Sequence, residues 1–298
     1  MGRPDRRGGL GEQQRSPPGR LRVKREGAHA RYESADGVGW ITLTRPRVLN
    51  ALDARLAKDL AEAASAAEAD SDAWVVVVQG EGRAFSSGMD RAALSAGTID
   101  EAFFRLWIQA LNGLEDMGKL VVAAIRGYCL GGGLQLALAC DLRLATADAV
   151  FGLGATRHGL IPDGAVLRLA RVVGLGRAKE LALLNDHISA EAALGMGLVN
   201  WVVPPAELDA GLARVIEKCR EGAPTATRHT KRLLHESFHT DPRAAIDRVV
   251  ADQMDCMRSW EMEEANRAWD EKREARFHPP RPPASSGRAA RRAGDRDG

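Results

Sequence analysis

The stretch Cys129-Leu130-Gly131-Gly132-Gly133-Leu134-Gln135 sets three consecutive glycines between a strand-like run, Leu120 to Ile125, and an apolar, helix-favouring segment, Leu134 to Ala139. The first turn of a helix has N–H groups without intrahelical acceptors, and it lies at the positive end of the helix dipole. Glycine there lets a ligand reach the backbone without meeting a Cβ. An anion, or an oxygen that acquires charge during reaction, is the guest such a junction suits. A second junction of the same kind lies upstream, where Trp74-Val75-Val76-Val77-Val78 runs into Gly80-Glu81-Gly82-Arg83-Ala84-Phe85-Ser86-Ser87-Gly88-Met89-Asp90. Two such loops can aim two donors at one oxygen, which is what an oxyanion hole requires. Ordinary turn chemistry explains either loop taken alone.

Around these loops the chain reads as strands alternating with helices. Ala30 to Ser34 and Val38 to Thr44 flank Ala35-Asp36-Gly37 as a hairpin, and Asp53 offers an N-cap to a helix spaced by Leu56, Leu60, Ala63 and Ala67. Phe103, Phe104, Trp107, Ile108 and Leu111 form a further apolar helical stripe, able to shape a pocket or simply to fill a core. The near-continuous Val and Ile of the strands predict an α/β core covered on both faces. From Gly164 onward the pattern is almost wholly helical, with helices expected over 164–172, 177–184, 189–195, 205–221, 224–239, 243–256 and 259–274. The division that follows is a basic disordered tail over 1–29, an α/β core over 30–220, a helical C-terminal domain over 221–276 and a second basic tail over 277–298.

The 298 residues carry a formal net charge of +2, but the two tails hold +5 and +3, which leaves the interior acidic at −6. A nucleic-acid surface is therefore not expected on the fold. No apolar run approaches the roughly 18 residues that span a bilayer, so no membrane partner is expected. Cys129, Cys140, Cys219 and Cys256 form no C-x-x-C pair and sit in apolar or helical stretches, which points to reduced thiols and a cytoplasmic location.

Four segments, Arg45-Pro46-Arg47-Val48-Leu49-Asn50-Ala51-Leu52, Ala84-Phe85-Ser86-Ser87-Gly88-Met89-Asp90, Gly127-Tyr128-Cys129-Leu130-Gly131-Gly132-Gly133 and Gly195-Met196-Gly197-Leu198-Val199, resemble the enoyl-CoA hydratase/isomerase, or crotonase, superfamily in order and spacing. The resemblance runs from about Arg31 to Phe277. It implies a spiral of ββα units with a C-terminal helical layer that assembles trimers, often stacked as hexamers. It also implies that the Met89 and Gly132 N–H groups grip the thioester carbonyl of an acyl-CoA. Arg47, Val48 and Leu49, with Ser87, then resemble the residues lining the CoA channel. Trp269 and Lys272, in Ala268-Trp269-Asp270-Glu271-Lys272-Arg273, resemble a terminal helix that covers the acyl pocket and reaches the CoA phosphate, in some members from a neighbouring subunit. An amphipathic surface helix accounts for that pair equally well. No metal or redox cofactor is implied; CoA arrives as part of the substrate.

The chain departs from the family pattern at the two positions where hydratases carry catalytic glutamates, which here hold Gln135 and Ala155. An amide has no useful pKa and a methyl group has no proton chemistry. One acid remains well placed, Asp163 in Gly159-Leu160-Ile161-Pro162-Asp163-Gly164, and it resembles the catalytic aspartate of certain family isomerases. A single carboxylate suffices to move a proton between two carbons while an oxyanion hole holds the intermediate enolate. Burial against Leu160, Ile161 and Val166 would raise its pKa toward that of a workable base. Asp163 could equally be a helix N-cap, Asp90 and Asp141 braces for loops, and Arg157 and His158 flanking groups.

Two other functions remain open on sequence alone. A homologue that kept the hole and lost its acids would be a non-catalytic acyl-CoA binder. His235-Glu236-Ser237-Phe238-His239 spells H-E-x-x-H, the pattern of a zinc hydrolase, with Glu261 at a distance where a third ligand could come. Against the zinc reading, Asp241-Pro242 cuts the helix just past the second histidine.

Overall fold

The computed structural model describes residues 22–278. Strand β1 (Arg22–Glu26) is followed by the hairpin of β2 (Ala30–Ala35) and β3 (Val38–Leu43). Asp36 and Gly37 link those two strands with φ of 51° and 79°, the left-handed pair of a tight two-residue turn. A Cβ at Gly37 would lie 2.5 Å from the Trp74 ring, so packing and backbone angle both call for glycine.

Next come α1 (Ala54–Ala69), β4 (Val75–Gly80), α2 (Arg91–Ser95), α3 (Glu101–Glu115), β5 (Leu120–Ile125), β6 (Tyr128–Leu130), α4 (Gly132–Ala139), β7 (Leu142–Thr146) and β8 (Val150–Gly152). The expected cap is present: the Asp53 carboxylate accepts from Leu56 N at 2.8 Å at the start of α1. Asp100 does the same for α3 through Phe103 N. The chain closes with α5 (Leu169–Leu184), β9 (Ile188–Ser189), α6 (Ala190–Gly195), β10 (Trp201–Val203), α7 (Leu208–Arg220), α8 (Pro224–Glu236), α9 (Pro242–Met257) and α10 (Trp260–Asp270).

A seven-stranded sheet runs in the order β1-β2-β3-β4-β5-β7-β10, antiparallel through β1, β2 and β3 and parallel from β3 to β10. A smaller three-stranded sheet has the order β6-β8-β9. Alternation along β4 explains its unbroken valines. Val76 and Val78 enter the core shared with α1, α3 and α4, while Val75 and Val77 enter a second core against Leu208, Leu212, Val215 and Ile216 of α7. Both faces are covered, as such a run demands.

Three expectations need correction. The basic tail does not extend to residue 29, because Arg22–Glu26 pair with β2 as an edge strand. Its charges had the look of a solvated tail, yet Lys24 reaches Asp70 and Asp72 while Arg25 meets Glu62; charged side chains are a usual way to blunt a sheet edge. At the other end, residues 277 and 278 are not tail: His278 stacks on Trp74 with ring centroids 4.2 Å apart. The remaining tail residues, 1–21 and 279–298, lie outside the described residues. Turns occupy 164–168 in place of a helix start, and α5 runs on to Leu184 through a break at Gly174, whose φ is 75°.

Among the described residues no helix is long and apolar enough to cross a membrane. All four cysteines are unpaired, and burial pushes the Cys140 thiol up to about 12.

Candidate active site

Strands β3, β4 and β5 are parallel neighbours, so the loops that leave them emerge on one edge of the sheet. The first two hold residues 44–53 and 81–90, and the third segment, 126–131, carries the short strand β6. Asn50 knits the first two. It is fully buried with φ of 54°, its Nδ2 donates to the carbonyls of Glu81 and Ala84, and its Oδ1 accepts from Arg45 N. Ser86 joins the second loop to the third, accepting from Leu130 N and donating its own N–H to Tyr128 O, both at 2.9 Å. Ser86 Oγ donates to Asn50 O, and Leu52 N donates to Gly88 O.

The glycines at this junction are packing requirements. A Cβ on Gly132 would sit 2.0 Å from Leu52 Cδ1, and one on Gly133 would sit 2.7 Å from Ser86 O. Gly88 has φ of 90°, and its Cβ would lie 2.9 Å from Leu130 O and 3.4 Å from Gly132 N. Gly88, and with it the start of the Met89 residue, is thereby held close to Gly132, the first residue of the buried helix α4. Among the described residues neither amide donates to any acceptor of the protein. Two amides from separate loops, neither with an acceptor among the described residues, are thus near neighbours across the Gly88–Gly132 contact.

Asp163 lies on the wall of a cavity of about 850 Å³ lined also by Phe104, Ile108, Leu160 and Ile161, a lining that includes neither Met89 nor Gly132. Among the described residues it is the one carboxylate lining that cavity. Burial pushes its pKa up, and the Gln135 amide and the Gly164 N–H pull only part of the way back. One oxygen, Oδ2, is buried without a hydrogen-bond partner, which weighs against the anion. Asp163 does not cap a helix, since α5 starts at Leu169 with no side-chain cap.

Other expected residues divide clearly. Arg47 and Val48 lie on the one-turn helix Pro46–Val48, followed by Leu49 with φ of 55°; Ser87 N donates to Leu49 O at 2.9 Å, so these four share one rim near Met89, Arg47 and Val48 exposed and Leu49 and Ser87 half-buried. Phe104 and Ile108 face the cavity, whereas Phe103, Trp107 and Leu111 are buried in the core. Trp269, 84% exposed at the end of α10, and Lys272 beyond it line neither this cavity nor the loop junction of their own chain. Asp90 braces: it caps α2 through Ala92 N and Ala93 N and pairs with Arg45. Asp141 is bound by Lys231 and Val121 N.

The H-E-x-x-H pattern does not make a metal face. α8 ends at Glu236, His239 falls in the turns beyond it, and the Glu236 carboxylate is paired with Arg248. Among the described residues no group of three His, Cys, Asp or Glu could hold an ion. A second cavity, about 700 Å³, lies under α8 around Asp141, Arg143 and Lys231.

Two participants escaped the reading of the sequence. Arg168, buried in an apolar stretch, donates to Gly164 O, Glu115 and Asn112 and so ties the Asp163 turn to α3. Trp107 donates its indole N–H to Gln135 Oε1 at 2.8 Å. A lone arginine among apolar residues and an indole N–H that must find an acceptor in a core were the available signals.

The family described as enoyl-CoA hydratase/isomerase matches residues 33–280. A short-chain-enoyl-CoA hydratase of Clostridium acetobutylicum is 33% identical over 245 residues, covering 81% of this chain and 94% of that protein. A crotonyl-CoA hydratase of Syntrophomonas wolfei is 32% identical, covering 82% and 96%. The crystal structure of an enoyl-CoA hydratase from Bacillus anthracis superposes with a TM-score of 0.76 at 28% identity, covering 86% of this chain and 98% of that one.

Proposed function

Because the chain belongs to the enoyl-CoA hydratase/isomerase family, an acyl-CoA thioester family with the crotonase fold, we propose that it shifts a double bond within its acyl-CoA substrate, with Asp163 as acid and base. The observation that carries this reading is the solitary Asp163 carboxylate on an apolar cavity, with an amide and a methyl group, Gln135 and Ala155, at the positions where a hydratase has glutamates. The relatives' names favour hydration. Adding water calls for one group to activate it and another to deliver a proton, however, and among the described residues Asp163 is the one carboxylate on the cavity.

In this mechanism the Met89 and Gly132 N–H groups donate to the thioester carbonyl oxygen. Asp163 takes a proton from an acyl carbon conjugated with that carbonyl, the electron pair moves onto the oxygen, and the enolate is held by the two amides. The same carboxyl group then returns the proton to a different carbon, so the substrate changes only in double-bond position. Each oxyanion donor of this kind is worth about 3–4 kcal/mol of barrier. Arg47, Val48, Leu49 and Ser87 would line the CoA channel, and no further cofactor is required.

Assembly belongs to the same reading. Ile246, Val249, Val250, Met254 and Met257 form an exposed apolar stripe along α9, which buries none of its residues within its own chain. A homotrimer or a dimer of trimers would cover that stripe and could bring Trp269 and Lys272 to a neighbouring site. The location assigned is cytoplasmic, from the unpaired thiols.

The test is incubation with 2-enoyl, 3-enoyl and aryl-acyl CoAs in deuterated water, read by mass spectrometry. Isomerisation with solvent deuterium in the acyl chain, lost in Asp163→Asn, is expected. Net addition of water would restore the hydratase, and tight thioester binding without exchange in any substrate would leave a non-catalytic binder.

A further inference from the structure

The cavity under α8 has more positive charge on its walls than they neutralise. Arg143, Arg168, Arg171 and Lys231 line it against two carboxylates, Glu115 and Asp141. Glu115 is shared by Arg168 at 2.6 Å and Arg171 at 2.7 Å, and Asp141 is taken by Lys231 at 2.8 Å. Four cations less two anions leave a surplus of +2, to which His235, also on the wall, could only add.

Arg143 is the cation with no anion of its own. It is 5% exposed, its Nε donates to Leu198 O at 2.7 Å, and its Nη1 donates to the carbonyls of Ala137 and Cys140. Those acceptors are neutral, and among the described residues no carboxylate pairs with it. Nη2 has no hydrogen-bond partner among the described residues, yet protein does not seal it in, so it opens onto the cavity that Arg143 lines. A guanidinium removed from water without an anion is costly, and a bound anion would relieve that cost. Beyond the charges the wall is apolar, formed by Leu138, Val172, Leu234 and Phe238, the last two exposed on its solvent side.

We propose that this cavity is a binding site for an amphipathic carboxylate, a medium-chain fatty acid, with its head group on Arg143 and its chain along Leu138, Val172 and Leu234 toward Phe238. A carboxylate suits the planar donor edge of a guanidinium, and the apolar wall suits an alkyl chain. At about 700 Å³ the cavity falls within the range of small-molecule sites, roughly 300–1,000 Å³. It shares no lining residue with the cavity beside Asp163, so the proposal stands or falls apart from the isomerase reading.

The experiment is calorimetric titration of the full chain with hexanoate, octanoate and decanoate, and with decanol and decyltrimethylammonium as uncharged and charge-reversed probes. The carboxylates should tighten by about 3- to 4-fold per methylene. Decanol should bind about 10- to 100-fold more weakly than decanoate, and the cationic probe not at all. Ala226→Phe, which fills this cavity from α8, should abolish decanoate binding, whereas Ile108→Trp, which fills the cavity beside Asp163, should leave it unchanged. Arg143→Met should weaken decanoate by about 10- to 100-fold and leave decanol where it was. Should Arg143→Met not fold, the decanol comparison and Ala226→Phe carry the same question. Decanoate binding lost in Ile108→Trp but kept in Ala226→Phe would put the acid beside Asp163 and overturn the proposal. Equal affinity for decanoate and decanol would overturn it too. A wild type that binds no carboxylate, and whose assembly Ala226→Phe breaks into monomers on light scattering, would make the cavity an interface between copies instead.

Discussion

Lys231 Nζ lies 2.8 Å from Asp141 Oδ2, both side chains almost wholly buried, and this ion pair ties α8 to the core between β5 and β7. The ammonium also donates to Lys119 O, and the carboxylate accepts from Val121 N. Removing one partner strands the other charge away from water. Lys231→Met should lower stability by about 3–5 kcal/mol in denaturant unfolding, and Lys231→Met with Asp141→Leu should recover a large part of the loss. Equal destabilisation by the single and double variants would show that the pair is not the tie.

Asp163 gives activity and stability opposite signs. Burial raises its pKa in the folded protein, so the carboxylate is the disfavoured form there. Activity should rise with pH through an acid limb above the ordinary aspartate value of about 3.9. Asp163→Asn should abolish exchange, by about 10²- to 10⁴-fold, and should leave the Tm at pH 7 unchanged or higher because a penalised charge is gone. Below about pH 3.9, where the group is protonated folded or unfolded, the Tm advantage should vanish. A Tm loss at pH 7 larger than that at pH 3 would contradict this assignment of signs.

Gly132→Ala tests the proposed oxyanion donors. The new methyl group would fall 2.0 Å from Leu52 Cδ1, so the first turn of α4 must shift and carry its N–H out of line. The expected cost is about 1–3 kcal/mol of stability and a 10²- to 10³-fold drop in kcat, measured by chemical denaturation and initial rates. Unaltered kcat in a folded Gly132→Ala protein would remove Gly132 from the hole.

At the C-terminal end, burial first and the neighbouring Arg220 second hold His278 down at about 4. A free histidine titrates near 6.5, so the docked end should lose stability as the pH falls from about 6.5 to about 4 and be indifferent above that window. Hydrogen exchange of amides 274–278 should accelerate between pH 7 and pH 5, after correction for intrinsic rates, in wild type and not in His278→Phe. The same acceleration in both proteins would clear the imidazole of responsibility.

The sequence disclosed the frame better than the finish of the site. The Asp36-Gly37 turn, the Asp53 cap and the four valines of β4 are local signals, each set by a few neighbouring residues, and the structure has all three. The junctions carrying Met89 and Gly132 were legible because glycine spacing records backbone demands directly. Strands β6, β8, β9 and β10 have only two or three residues each, too few for any periodicity to register. Strand β1 was hidden because an edge strand rich in charge has the composition of a tail. The links from Trp107 to Gln135 and from Arg168 to Gly164 span 28 and 4 positions and depend on helix rotation and turn shape, which side-chain type does not encode.

Parallel alignment of β3, β4 and β5 also separates two kinds of requirement on the polypeptide. Folding free energy comes from the paired hydrophobic layers on either side of the sheet, whereas Met89 and Asp163, two groups proposed to act on substrate, sit on the loops and turns beyond it. A scaffold divided in this way can pass from one enolate reaction to another by altering a few rim side chains, with no redesign beneath them.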